Sequence, residues 1–194
     1  MTRLSTILAL LSVLAVPVRA DEAADIAWAE RHFAQALDAV FPVPADASGV
    51  FIRAYHDLHH SFPEFSIAIS IDRATGTLHA TTLVADKLSI FEQLQTLHRA
   101  RPTLSPAEAL AGLRVIRRTA SERQCAAVAR LHAQFTRLRL APPELDLIVI
   151  HPVIYQLRVS GSGQLSYDIH EPDPAVKAWA SQALSLIASC HGTT

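Results

Sequence analysis

Apolar residues recur along the chain with two periods, and the switches between them outline the fold. Between residues 23 and 41, Ile26, Phe33, Leu37 and Val40 stand seven, four and three apart, one stripe of a helix that Pro42 ends. A turn-rich connector at 42–49 leads to residues 50–57, whose β-branched and aromatic side chains fit a strand. Phe51, Tyr55, Leu58 and Phe62 also keep helical spacing, so this segment has two readings. Phe65, Ile67, Ile69 and Ile71 then alternate with Ser66, Ala68, Ser70 and Asp72. After Gly76 the same alternation resumes through Leu78, Ala80, Thr82 and Val84, which predicts an antiparallel hairpin with one buried face.

Three helices are predicted next. Each is introduced by a serine and, three residues on, an acidic or amide side chain, a pair that satisfies each other's free backbone N–H groups: Ser89 with Glu92, Ser105 with Glu108, and Ser121 with Gln124. Their apolar stripes are Ile90, Leu94 and Leu97; Leu110, Leu113 and Ile116; and Cys125, Val128, Leu131, Phe135 and Leu138. Strand patterns return at 145–150, 155–159 and 165–169, the last two around a Gly161-Ser162-Gly163 turn. Asp173 then caps a final helix, with Pro174 at its first position and Val176, Ala180, Ala183, Ile187 and Cys190 on its inward side. A hairpin followed by a helix thus occurs twice, at 65–101 and 154–190. The order of elements predicts an α+β fold: a single two-layer domain with an antiparallel sheet of about five to six strands and helices packed mainly on one face.

Composition agrees with a folded domain. Half of the residues are hydrophobic, 18% are charged, and 6 Gly and 11 Pro are too few for a disordered or collagenous chain. Residues 1–20 have Arg3, an apolar run to Val16, and small or modest side chains before Asp21, the pattern of a cleavable signal peptide. That run is short of the roughly 20 residues a spanning helix needs. The expected product is a single domain over residues 21–194, periplasmic or secreted, with no stable membrane insertion after cleavage. In such an oxidising compartment the 2 cysteines, Cys125 and Cys190, are expected to form a disulfide. Closing so long a loop is worth about 4 kcal/mol in the chain-entropy model. Neither cysteine lies in a Cys-x-x-Cys motif, which argues for a structural bond rather than redox chemistry.

Charge is unevenly spread. Residues 21–98 carry 4 basic and 11 acidic groups, residues 99–139 carry 9 and 2, and residues 140–194 carry 2 and 5. On a helix starting at Ser121, Arg123, Arg130 and Arg137 recur every seven residues and share one face opposite Leu131 and Phe135. Such a face is either the solvated back of the helix or a docking surface for an acidic protein partner. Nucleic acid is not expected, because the balance is acidic overall and no aromatics interleave the arginines.

Of the 10 histidines, four lie close together: His56, His59, His60 and His79. If residues 51–62 were helical, His56 and His60 would stand one turn apart with Asp57 between them. That spacing is related to the His-Glu-x-x-His pattern of zinc hydrolases, with His59 as a further nitrogen nearby. A strand would remove the pattern. Asp is one methylene shorter than the usual Glu, Pro63 cuts any helix, and no third ligand stands out beyond Glu92. Asp168 and His170 alternate onto one face of a strand as a lone acid-base pair. Gly-x-Ser-x-Gly elbows and Gly-rich phosphate loops do not occur in the sequence. The expectation is an exported, non-catalytic binding domain, inhibitor-like or immunity-like, that recognises a protein and needs no cofactor. The alternative is a metal-dependent hydrolase with zinc at the His56-Asp57-Leu58-His59-His60 cluster.

Overall fold

The period-two runs pair side by side into one sheet. A computed structural model describes residues 20–44, 49–56, 63–139, 153–160, 164–170 and 173–190, with the side chains of Ala20, Ser160 and 164–170 left aside. Its elements are α1 (Ala20–Val40), β1 (Gly49–His56), β2 (Phe65–Ile71), β3 (Leu78–Ala85), α2 (Ile90–Ala100), α3 (Pro106–Gly112), β4 (Val115–Ser121), α4 (Ala127–Phe135), β5 (Val153–Ser160), β6 (Gln164–His170) and α5 (Pro174–Ser189). The six strands lie in the order β4-β3-β2-β1-β5-β6, with every neighbouring pair antiparallel. The segment with two readings is therefore a strand through His56, and the 145–150 strand falls outside the described residues.

Register builds the first face row by row. Thr82, Ile67, Ile52 and Leu157 stand opposite one another across four strands, as do Val84, Phe65, Ala54 and Tyr155. Phe65 and Tyr155 meet edge to face at 6.0 Å. α4 and α5 cover this face through Val128, Leu131 and Phe135 and through Val176, Trp179, Ala183 and Ile187. Trp179 packs on Phe135 at 4.8 Å, and its indole N–H donates to the Leu131 carbonyl at 3.0 Å. The indole thus buries its ring without stranding its one donor.

The opposite face carries Phe51, Arg53 and Tyr55 of β1 and Leu83 and Ala85 of β3, because strand side chains alternate. At one end of it, α1, α2 and α3 form a second apolar cluster around Phe33, Leu37, Phe41, Phe91 and Leu94. Phe33 lies edge-on to both Phe91 and Tyr55. Arg53 is buried here, yet its guanidinium has hydrogen-bond partners. It donates to Asp38 Oδ1 at 2.7 Å, Gln156 Oε1 at 2.8 Å and the Phe41 carbonyl at 3.4 Å. The α+β class, the antiparallel sheet and the helices packed on it are as the pattern predicts.

Local signals account for most boundaries. Ser89 with Glu92 and Ser105 with Glu108 form reciprocal capping boxes, and Asp173 caps α5 by accepting the Ala175 N–H. The β2–β3 turn is closed by Asp72, which accepts the Ala74 N–H and the Thr75 hydroxyl, while Gly76 supplies the left-handed φ of 68°. Gly49 is required for a different reason. A Cβ there would sit 1.9 Å from the Ile69 carbonyl oxygen of the neighbouring strand.

Two expectations need correcting. Ile116 does not extend the stripe of α3: Gly112 ends that helix and residues 115–121 become β4, paired with β3 along its whole length. The open edge of β3 offers a full ladder of backbone partners, which outweighs a one-residue helical match. The Ser121–Gln124 pair forms, but as a turn. Gln124 Oε1 accepts from the Ser121 N–H and hydroxyl, and α4 begins only at Ala127 without a side-chain cap.

Leu131→Ala, which empties a fully buried site between α4 and the sheet, is expected to destabilise the fold by about 2–5 kcal/mol. Ile116→Ala at the sheet edge should change stability by no more than about 0.5 kcal/mol. Urea denaturation checks both, through a lower midpoint at unchanged slope for the first and an unmoved midpoint for the second.

Candidate functional site

Among the described residues β4 ends the sheet, and only one of its two backbone edges is bonded. The Arg114 carbonyl accepts from the Asp86 N–H, and the Glu122 N–H donates to the Leu78 carbonyl. Antiparallel alternation between these two points gives the even-numbered residues of β4 to the ladder with β3 and turns the backbone groups of Val115 and Arg117 outward. Beyond Ser121 the chain is held tightly. The Ser121 carbonyl accepts from the Gln124 and Cys125 N–H groups, and Glu122 Oε1 accepts the Leu78 N–H at 3.1 Å. Cys125 is bonded to Cys190 at the end of α5, a pairing that joins positions 65 apart in sequence with Cα atoms 5.9 Å apart. Beside this turn lies an open groove of about 480 Å³, lined by His79, Thr81, Thr119, Ser121, Arg123 and Gln124.

Six arginines lie beside or on β4, in the turn after it, and in or just past α4: Arg114, Arg117, Arg123, Arg130 and Arg137 are exposed and Arg118 is half-buried. Two arginines of the basic segment are engaged, Arg99 with Asp25 and Arg101 with Glu108. Among the described residues, none of these six pairs with a carboxylate. Their placement differs from a single helical face. Only Arg130 lies in α4; Arg123 sits in the turn between β4 and α4, and Arg137 lies just past Phe135. Because β4 takes the residues up to Ser121, the helix has only nine left, too few to carry a seven-residue repeat twice.

Of the His56-Asp57-Leu58-His59-His60 cluster only His56 lies within the described residues, and it falls on a strand rather than a helix. His56 is the last residue of β1, opposite Val153 of β5, while His59 and His60 lie outside the described residues. The helix on which the zinc-hydrolase spacing depends is absent from 49–56. Among the described residues no three His, Cys, Asp or Glu side chains are grouped as metal ligands. Asp168 and His170 stand in backbone register with Gln156 and Ile154.

Two titratable arrangements escaped the sequence patterns. Between α1 and α2, buried Asp25 accepts from His98 Nδ1 at 2.7 Å and from Arg99 Nε at 2.9 Å. The His98 ring stacks on Trp28 at 4.8 Å, and Trp28 in turn lies against His32 at 4.2 Å. The hydrogen bond from His98, reinforced by Arg99, holds the Asp25 carboxyl below its ordinary range despite burial. A carboxylate-oriented imidazole resembles half of a general-base pair. No hydroxyl or thiol among the described residues is hydrogen-bonded to His98, however, and the cluster serves to pin α1 to α2.

Glu64 is the second. It is 1% exposed, just before β2, and its carboxylate accepts the Ile90 N–H at 2.7 Å at the start of α2. Burial pushes its pKa up to about 7, against the opposing pull of the backbone N–H groups of Ile90 and Phe91. Asp25 and Glu64 each join residues far apart in sequence, so no local spacing marks them.

Comparison with protein-family models, with curated proteins and with solved structures yields no match to this chain.

The two carboxyls give opposite pH slopes. The folded state keeps the Glu64 proton up to about pH 7, whereas an unfolded chain releases it near 4.5, so stability falls as pH rises through that window. The loss amounts to about 3 kcal/mol at full development. Asp25 acts in the other direction: its contribution is present above the unfolded pKa and is lost as pH falls through its lower folded value. Glu64→Gln, which keeps an acceptor for Ile90 and removes the charge, is expected to raise the melting temperature at about pH 8 and flatten the decline from pH 5 to 8. Thermal denaturation across that range tests it.

Proposed function

We propose that this chain is an exported, non-catalytic protein-binding domain, inhibitor-like or immunity-like, that recognises an acidic protein through the basic surface of β4, the following turn and α4. The observation that carries the reading is the set of six arginines without carboxylate partners among the described residues. They are mounted on a frame held by the β3–β4 ladder and the Cys125–Cys190 bond. Exposed charges that are not neutralised within a chain set up a field that speeds encounter with an opposite surface and weakens with salt. The disulfide fits an oxidising compartment, and among the described residues no helix is long and apolar enough to cross a membrane. Arg123, Arg130 and Arg137 lie in the turn, within α4 and just past it, so together they sample this surface without entering the core.

The triple variant Arg123→Glu, Arg130→Glu, Arg137→Glu should keep the melting temperature and lose roughly tenfold or more in affinity for poly-glutamate, read by fluorescence anisotropy. Binding by the parent should weaken steeply as salt rises to about 0.3 M. Equal poly-glutamate binding by parent and variant would exclude the basic surface as the contact.

A further inference from the structure

The basic surface includes a strand edge as well as charge. The outward backbone groups of Val115 and Arg117 offer hydrogen-bond donors and acceptors to a second extended chain, and the described residues place no strand beyond β4. Resting on the protein-binding reading above, we propose that β4 receives an acidic, extended segment of the partner as an added antiparallel strand. Main-chain bonds would supply affinity, and alternate side chains would supply selectivity.

Both faces of the edge fit such an occupant. On the second face, Arg117 leads into the groove lined by His79, Thr81, Ser121 and Arg123, so carboxylates of an incoming strand meet cations and hydroxyls there. On the first face, Arg118 stands beside Ile116, whose 38% exposure makes it one of three large hydrophobics left open to solvent among the described residues. That side, with Ile116 at its open end, takes the β-branched residues of a strand whose carboxylates lie on the second face. The strand is seven residues long, enough to register a short segment. A second copy of this chain does not fit. A two-fold pairing centred on Arg117 or on Arg118 sets that arginine directly against its own copy, and like charges directly opposite are destabilising.

The test uses two fluorescein-labelled decapeptides, one alternating Glu and Val and one of the same sequence with N-methylated Glu residues, which keeps the charge but removes the N–H groups that face β4 when the Glu side chains share the face of Arg117. The Glu-Val peptide should bind, slow hydrogen exchange at the Val115 and Arg117 amides, and exceed the N-methylated peptide by roughly tenfold. Arg117→Pro removes an outward N–H and no bond to β3, and should bring the Glu-Val peptide down to the level of the N-methylated one. Arg117→Gln, which removes the charge and retains the N–H, should weaken it only about threefold. Circular dichroism confirms that the variants fold, and the N-methylated peptide tests the point on the parent protein alone. Equal binding of the two peptides would overturn strand addition while leaving the basic-surface reading in place. Binding of neither would overturn both. A dimer of the free protein in sedimentation velocity that Arg117→Pro dissociates would overturn the acidic partner in favour of a second copy.

Discussion

Burial of β1 on both faces is the constraint from which the rest of the arrangement follows. Its first six residues are buried, with Val50, Ile52 and Ala54 on one side and Phe51 and Arg53 on the other. A strand flanked by β2 and β5 and covered above and below cannot shift register by one residue without exchanging its two faces. Arg53 makes the exchange still more costly. Its guanidinium is satisfied only by the particular set of Asp38, Gln156 and the Phe41 carbonyl, which ties α1 to β1 and β5 at one point. An ion moved to the apolar face would have no such partners.

The two helical clusters then divide the work. α4 and α5 complete the larger core on the first face and bring Cys125 and Cys190 together at its margin, so the disulfide locks a packing that burial already favours. α1, α2 and α3 close one end of the second face and hold the two buried carboxyls, Asp25 and Glu64. Among the described residues no helix covers the other end of that face, where the polar groove beside β4 opens. Polarity and exposure thus concentrate where no helix is laid down. The acidic residues of α1 and the arginines of β4 and α4 fall on different elements, which gives the domain a lopsided field despite its formal net charge of −1.

Charge on an edge strand commonly serves to discourage indiscriminate pairing. Under the strand-addition proposal, the same arginines repel a second copy of this chain and attract a carboxylate-rich strand, so that protection and recognition are two consequences of one arrangement rather than competing accounts.

Elements whose signals are local were legible in the sequence. The β2–β3 hairpin follows from strict alternation around a glycine turn, α2 and α3 from their serine-glutamate capping boxes, and α5 from Asp173 and Pro174. The Cys125–Cys190 bond followed from there being only 2 cysteines, and the basic bias of residues 99–139 was plain from composition. Tertiary structure decided the remainder. It made residues 50–56 a strand, turned the arginine-rich 115–121 into the edge β4, shortened α4 to nine residues and so broke up the expected face of Arg123, Arg130 and Arg137. It also paired Asp25 with His98 across 73 positions and set Glu64 against the start of α2. The division has a simple cause. Periodicity and capping depend on groups a few residues apart, which the sequence states directly, whereas ladder pairing and buried ion pairs depend on which distant segment lies alongside, and that is fixed only when the cores close.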